Sequence, residues 1–307
     1  VGILVIGSFM MDLVVQTPRA PENGETIIGT HFSRFPGGKG ANQAVSASRL
    51  GGDVIMAGKV GSDEFGEEMI AALNKEQIDT RSILKDETSP TGIGMVTVEA
   101  DGNNRIIVVP GANMAYGMDD LRTIESQIKA ADIVVVQLEM DVHMIERAVT
   151  IAADHHVPVI LNPAPAQELN DNLLSKVTYL TPNSTEAEIL TGIKINSTED
   201  AERAANALLN KGIENVVLTL AEEGALIVNG TGAHPIPGFQ VEAVDSVAAG
   251  DAFNGALAVG ITQGKPLTEV VRFANAVGAL TVTKEGAIPS LPNLGEVNNF
   301  LNQKLEA

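Results

Sequence analysis

Asp251 stands directly behind three small residues, Ala248, Ala249 and Gly250, at the head of a helix-like run. Small side chains let an anion come close to backbone N–H groups, where a phosphoryl group gathering charge during transfer would be stabilised. A carboxylate beside an anion site is unfavourable unless it acts, for instance by taking the proton of an attacking hydroxyl. The same residue also suits a plain helix-start carboxylate facing the positive end of the dipole. A second segment, Gly37-Gly38-Lys39-Gly40-Ala41-Asn42-Gln43-Ala44, leads straight into another helix-like run. Its glycines let N–H groups face one point beside a helix N-terminus, which fits a polar ligand and equally a purely structural turn. Lys39 is not followed by Ser or Thr and the G-x-G-x-x-G spacing is absent, so the segment is neither a P-loop nor a dinucleotide fingerprint.

These residues need a frame, and the apolar pattern supplies one. Short β-branched runs at residues 1–6, 54–57, 133–136, 159–161 and 216–220 read as strands buried on both faces. Between them, residues 41–50, 67–73, 142–153 and 201–209 carry apolar residues at three- and four-residue spacing and read as helices covering a sheet. The alternation predicts an α/β fold, doubly wound and mostly parallel, with ligands beyond the carboxyl ends of the strands. Residues 26–35 and 91–110 break the alternation and read as extra strands, the second with a hairpin turn at Asp101-Gly102-Asn103. With residues 12–15 they predict a small separate sheet, as a lid or as added edge strands. Helices are expected at 250–263, 267–283 and 294–305, and no linker or repeat divides the 307 residues into more than one domain.

Composition narrows the partners. A formal net charge of −19 repels nucleic acid and anionic membranes, so an anionic ligand must be held by a few local donors. No apolar run reaches the ~20 residues of a membrane span. The chain has no cysteine, which excludes thiol and disulfide chemistry and fits a reducing cytoplasm. The five histidines lack partners at metal spacing; His155 and His156 read as helix-ending or surface residues. Val1 already lies in a strand-like run, so an initiator methionine or a few residues are expected to precede it.

GGKGANQA at 37–44, TPNSTEAE at 181–188 and AAGDAFNG at 248–255 together resemble the motifs of the ribokinase family of carbohydrate kinases, in order and across essentially the whole chain. The resemblance implies a doubly wound domain with a small β-sheet lid, formed by strands within about residues 12–36 and 91–110, that often serves as a homodimer contact. It implies ATP-dependent phosphorylation of a pentose 5-hydroxyl, D-ribose first, with Asp251 as general base and the N–H groups of Ala248, Ala249 and Gly250 as anion hole. Met10, Asp12, Gly38, Lys39, Gly40, Asn42 and Glu139 fall at sugar-pocket positions; Glu139, ending an apolar run, lies where α/β ligands bind. Asn183 and Glu186 match a motif near the phosphates and Mg²⁺, an ion that takes oxygen ligands. The same pair is a capping box, and both readings can hold together. Thr219, Ala221, Gly224, Gly250 and Asn275 match nucleotide contacts. A monovalent cation, usually potassium, would sit among Asp245, Val247, Thr281, Lys284, Gly286 and Ser290, although a simple helix-ending loop explains the last four equally well.

Two positions depart from the resemblance. Ala221 stands where the family usually has glycine, which puts the nucleotide loop in doubt. Met10 stands where ribokinases usually have asparagine, two residues before Asp12. A thioether cannot donate a hydrogen bond to a ring hydroxyl, so 2-deoxyribose is an alternative substrate; a methionine filling a gap in the core is the other explanation. Kinases of the same fold acting on a hexose, a fructose phosphate or a nucleoside, and a catalytically dead sugar-binding regulator, complete the alternatives. Few aromatics and no tryptophan count against nucleoside stacking.

Overall fold

Strands that are apolar on both faces must be covered on both faces, and here they form the middle of a large sheet. The computed structural model describes residues 2–101 and 103–306. In chain order the strands are β1 (Ile3–Ile6), β2 (Met10–Thr17), β3 (His31–Gly37), β4 (Val54–Gly61), β5 (Asp79–Asp86), β6 (Gly92–Glu99), β7 (Asn104–Val109), β8 (Ile133–Val136), β9 (Val159–Leu161), β10 (Tyr179–Leu180), β11 (Asn215–Thr219), β12 (Gly224–Asn229) and β13 (Gly232–Pro237). The helices are α1 (Lys39–Arg49), α2 (Glu64–Lys75), α3 (Met118–Thr123), α4 (Glu125–Ala130), α5 (Val142–Asp154), α6 (Asp171–Leu174), α7 (Ser184–Thr191), α8 (Thr198–Leu209), α9 (Ala249–Thr262), α10 (Leu267–Thr281) and α11 (Leu294–Glu306).

Nine strands form one sheet in the order β13-β12-β11-β10-β9-β8-β1-β4-β5. It is parallel except where β12 and β13 add antiparallel hairpins at one edge. Side chains of β1 alternate between two apolar layers. Leu4 and Ile6 join α5 and α8 on one face, while Ile3 and Val5 join α1, α9 and α10 on the other. The chain order reverses at β1, which lies between β8 and β4, and ligands of such sheets bind beyond the strand ends at that point. There β1 gives way to Gly7 and Ser8, and α1 begins.

The small sheet has the order β3-β2-β6-β7. Its first expected segment is corrected by the structure: residues 26–30 are not in a strand, and β3 starts at His31. Ile28 is 89% exposed, so its apolar side chain finds nothing to pack on, and the chain rejoins β2 only where Thr30 N–H donates to the Gln16 carbonyl (2.8 Å). Around the expected hairpin turn, Asn103 accepts from Glu99 N–H through its carbonyl (2.8 Å), while Gly102 lies outside the described residues. Strand β13 went unread because Pro235 and Pro237 argue against a strand; both are tolerated at the sheet edge. The helix expected to reach residue 283 stops at Thr281, Leu220 falls outside β11, and α1 begins at Lys39 rather than at residue 41. Arg49 at the end of α1 pairs with Glu76 (2.6 Å) and donates to the carbonyls of Ile288 (2.8 Å) and Leu291 (2.6 Å), tying the C-terminal loop to the sheet. His155 caps α5 with its ring nitrogen 3.0 Å from the Ile151 carbonyl. Among the described residues no helix is long and apolar enough to cross a membrane.

Candidate active site

Gly38 starts α1 with φ 93, and a Cβ there would lie 2.7 Å from Met10 N. At Gly40 a Cβ would lie 2.5 Å from Ser8 N. Only glycine lets α1 begin this close to the link between β1 and β2, so the motif is a packing device as well as a row of donors. Lys39 N–H donates to Glu139 Oε2 (3.1 Å), and the buried Ser8 hydroxyl donates to the same oxygen. The glycine turn is thereby fixed to the end of the segment that follows β8.

Asp12 lies on β2, flanked by glycines on both neighbouring strands. A Cβ at Gly94 would come within 2.4 Å of Asp12 Oδ1 and one at Gly37 within 2.9 Å of Oδ2. The two glycines make room for the carboxylate on a bare sheet face. Burial, and then the charge of Glu139, push its pKa up to about 6. Met10 shares this face, is 5% exposed and belongs to neither apolar layer. Its sulfur sits 3.9 Å from Asn113 Nδ2, whose amide is already bonded to the carbonyls of Phe9 and Pro110 (2.8 Å each).

Asp251 lies in the first turn of α9, buried at 6% exposure. Asn42 Nδ2 donates to its Oδ2 (2.9 Å) and Gln43 Nε2 to its Oδ1 (3.0 Å), so α1 grips the carboxylate of α9. Ala248, the N-cap of α9, has φ 61 and no side chain caps the helix, while Ala249 N–H reaches back to the Ser246 carbonyl at 3.4 Å. Lys39, Asn183, Glu186, Ala248, Gly250 and Asp251 line one cavity of about 200 Å³. Burial works against the Lys39 ammonium, but Asp251, Glu139 and Glu186 outweigh it and hold its pKa above the usual lysine value. Burial likewise raises the Glu186 carboxyl, against the Asn183 N–H and Lys39.

The capping box at α7 is formed: Glu186 N–H donates to Asn183 Oδ1 (2.8 Å) and Asn183 N–H to Glu186 Oε2 (2.9 Å). An adjoining cavity of about 410 Å³ is lined by Asn183, Thr219, Ala221, Gly224, Gly250 and Asn275, with Phe239 and Val241 as apolar wall. Gly224 has φ 102, and a Cβ there would meet Ile236 O and Gly238 N at 2.3 Å. Asn275 anchors the wall by donating to the carbonyls of Ile236 (3.1 Å) and Pro237 (3.2 Å). Ala221 holds φ 51, the left-handed conformation for which glycine is suited.

Met10, Asp12 and Glu139 stand outside these two cavities, and Glu139 is bonded to the backbone of Lys39, which lines the smaller one. Asp245 spans two segments of the expected cation loop, accepting from Val247 N–H (3.0 Å) and Gly286 N–H (2.9 Å). Three other side chains there turn to near neighbours. Thr281 bonds the Val277 carbonyl (2.8 Å), Ser290 the Ala287 carbonyl (2.7 Å), and Lys284 pairs with Glu296 (2.8 Å). Among the described residues no cluster of three or more His, Asp or Glu side chains is suited to hold a metal.

Sequence reasoning assigned no role to a set of buried polar residues here: Asn162, Thr181 and Asn254, which line the cavity of about 200 Å³, and Gln137 and the Gln43 of the glycine motif, which do not. Gln137 and Asn162 each follow an apolar strand run directly, at the carboxyl end where ligands gather, and that was the available signal.

The sequence profile of the family described as pfkB family carbohydrate kinase matches residues 2–294. The chain belongs to the pfkB family of carbohydrate kinases. This pfkB-family chain is 40% identical over 297 residues to the ribokinase of Haemophilus influenzae, covering 97% of each. It is 35% identical over 301 residues to the deoxyribokinase of Salmonella typhimurium, covering 98% of each. The structure of Arabidopsis thaliana ribokinase complexed with ribose and ATP superposes with a TM-score of 0.91 at 31% identity, over 97% of this chain and 98% of that one. Both the α/β sheet and the small second sheet of the pfkB-family fold are therefore present here.

Proposed function

We propose that the chain is an ATP-dependent ribokinase, which transfers the γ-phosphoryl group of ATP to the 5-hydroxyl of D-ribose and yields ribose 5-phosphate and ADP. The reading rests on one observation: the Asp251 carboxylate is buried, held by two neutral amides, and borders a cavity shared with Lys39 and the start of α9. A carboxylate held this way keeps lone pairs for an incoming hydroxyl and takes its proton as the oxygen attacks phosphorus. N–H groups of Ala248, Ala249 and Gly250 stabilise the charge on the transferred group.

The sugar lies between Met10, Asp12, Gly38, Lys39, Gly40, Asn42 and Glu139. Asn42 Oδ1 is buried without a hydrogen-bond partner, which supports a sugar hydroxyl as its donor. The adenosine part of ATP occupies the larger cavity beside Thr219, Ala221, Gly224 and Asn275. Glu186 commits one carboxylate oxygen to the capping box, so its other oxygen and Asn183 suit the hydration shell of Mg²⁺. Mg²⁺ held there would supply charge neutralisation to the phosphates. A monovalent cation, taken to be potassium, fits the backbone oxygens around Asp245, Val247, Thr281, Lys284, Gly286 and Ser290, two of whose segments Asp245 already joins. The small sheet acts as a lid and as the contact of a homodimer, supported by the exposed apolar side chains of β7. A cytoplasmic setting is supported by the cysteine-free composition.

An ADP-release assay with D-ribose, 2-deoxyribose, hexoses and fructose phosphate, in K⁺ or Na⁺, tests the reading. Asp251→Asn is expected to keep sugar binding and lose ~10²- to 10⁴-fold in kcat; near-normal turnover removes Asp251 as base. One observation favours a second reading, phosphorylation of 2-deoxyribose. The Met10 thioether lies beside Asp12 and outside both apolar layers, so it can face a sugar carbon that carries no hydroxyl. On that reading Met10→Asn shifts the kcat/KM ratio towards ribose, and an unchanged ratio overturns it.

A further inference from the structure

An ionised carboxylate only accepts hydrogen bonds, so the amides that touch Asp251 must turn their NH₂ groups towards it. For Gln43 this fixes the whole side chain. Its Nε2 serves Asp251 Oδ1 (3.0 Å) and Asn162 Oδ1 (3.1 Å), which leaves Oε1 facing the other way. Gln137, in the turn after β8, meets that oxygen with its own Nε2 at 2.7 Å. The direction of every bond in the row Gln137, Gln43, Asp251 thus follows from the charge at its end.

The row continues sideways. Asn162 Nδ2 donates to the Thr181 carbonyl (3.2 Å), the Thr181 hydroxyl to Asn254 Oδ1 (2.7 Å), and Asn254 Nδ2 to the Gly250 carbonyl (2.8 Å). Residues of all three sequence motifs are cross-bonded at the cavity wall by side chains that are almost entirely buried. The arrangement leaves Gln137 Oε1 buried without a partner. Gly7 makes space for it: a Cβ at that position would lie 2.2 Å from Gln137 Oε1 and 2.7 Å from the Cα of Gly40.

We propose that Gln43 is a positioning residue for the Asp251 base, oriented in turn by Gln137, so that the two amides set which way the Asp251 carboxylate points without touching either substrate. Asn42 alone does not fix the group, because a single bond to Oδ2 leaves the carboxylate free to pivot about it. The proposal rests on Asp251 acting as the base. A reacting atom misplaced by about an ångström loses on the order of 10²-fold in rate, which sets the scale of the effect.

The experiment compares Gln43→Met, Gln137→Leu, their double variant and Asp251→Asn by sugar KM, kcat and melting temperature. Gln43→Met is expected to lower kcat by roughly 10- to 100-fold while sugar KM changes less than about 3-fold. Gln137→Leu should show the same split with a smaller loss, and the double variant should lose no more than Gln43→Met, since Gln137 acts only through Gln43. Melting temperatures that fall while kcat holds would make the row structural only and overturn the proposal, as would single losses that multiply in the double variant. Gln137→Leu decides the matter alone if Gln43→Met does not fold. A collapse of Asp251→Asn beside a fully active Gln43→Met removes the positioning role and leaves the base; an active Asp251→Asn removes the base itself.

Discussion

Asp12 titrates in a range where a sugar would feel it. Its pKa is raised from 3.8 to about 6 by burial and by Glu139, so its protonated fraction grows as pH falls through 6. A protonated carboxyl loses acceptor capacity for a sugar hydroxyl. Sugar KM is therefore expected to rise below about pH 6 and to level off above it. Asp12→Asn should lack that dependence, and a flat KM between pH 5 and 8 in the parent chain contradicts the sugar-binding role proposed for Asp12. The same shift acts on folding with the opposite sense to an ordinary salt-bridged carboxylate. Between about 4 and 6 the native state holds the extra proton, so the Asp12 contribution to stability is lost as pH rises through that window. At this scale the motif residues were legible because three motifs follow one another in order along the chain, although each alone suits a structural turn equally well. The amides beneath them were not: a glutamine such as Gln137 reads as polar wherever it stands, and only the fold reveals that it is 1% exposed and aimed at Gln43.

Two alanines that line the cavities hold left-handed backbone, Ala221 at φ 51 in the larger and Ala248 at φ 61 in the smaller. That conformation costs an alanine roughly 1–2 kcal/mol, and strain of this kind concentrates at functional sites. Ala221→Gly relieves it, against about 0.4–1 kcal/mol for the added freedom of the unfolded chain. The expected net is a gain of up to about 1.6 kcal/mol, read as a small rise in melting temperature; a fall shows that the turn does not strain Ala221. Element identity was legible wherever apolar spacing was regular, as in α5 and β8, because burial on two faces imposes the pattern. Strand β5 escaped notice because Asp79, Arg81, Lys85 and Asp86 mask its period, and Ile28 misled because an exposed isoleucine looks like a strand residue in sequence.

On the scale of the molecule, the small sheet leaves apolar surface on both of its faces. Met95 is 51% exposed and pairs with Ile107 at 64%, while Ile106 is 56% exposed and pairs with Val96. Replacing Ile106 and Ile107 together by lysine charges both faces of β7. Light scattering should then report the 32.1 kDa chain mass in place of twice that value. A parent chain already at the single mass contradicts association through this sheet. The apolar alternation alone reads the same whether its neighbour is the same chain or another copy, and the expectation of a homodimer came from the family resemblance.

The exposed edge of β7 has a consequence for how the protein fails. Whenever that strand is uncovered, its unpaired N–H and C=O groups stand beside Ile106, Ile107, Val108 and Val109, the composition of a template for intermolecular strand growth. Loss of the folded protein in storage would then be seeded from native molecules, with no need for global unfolding. A further charge on β7, beyond Arg105 at its start, would act as a gatekeeper against it.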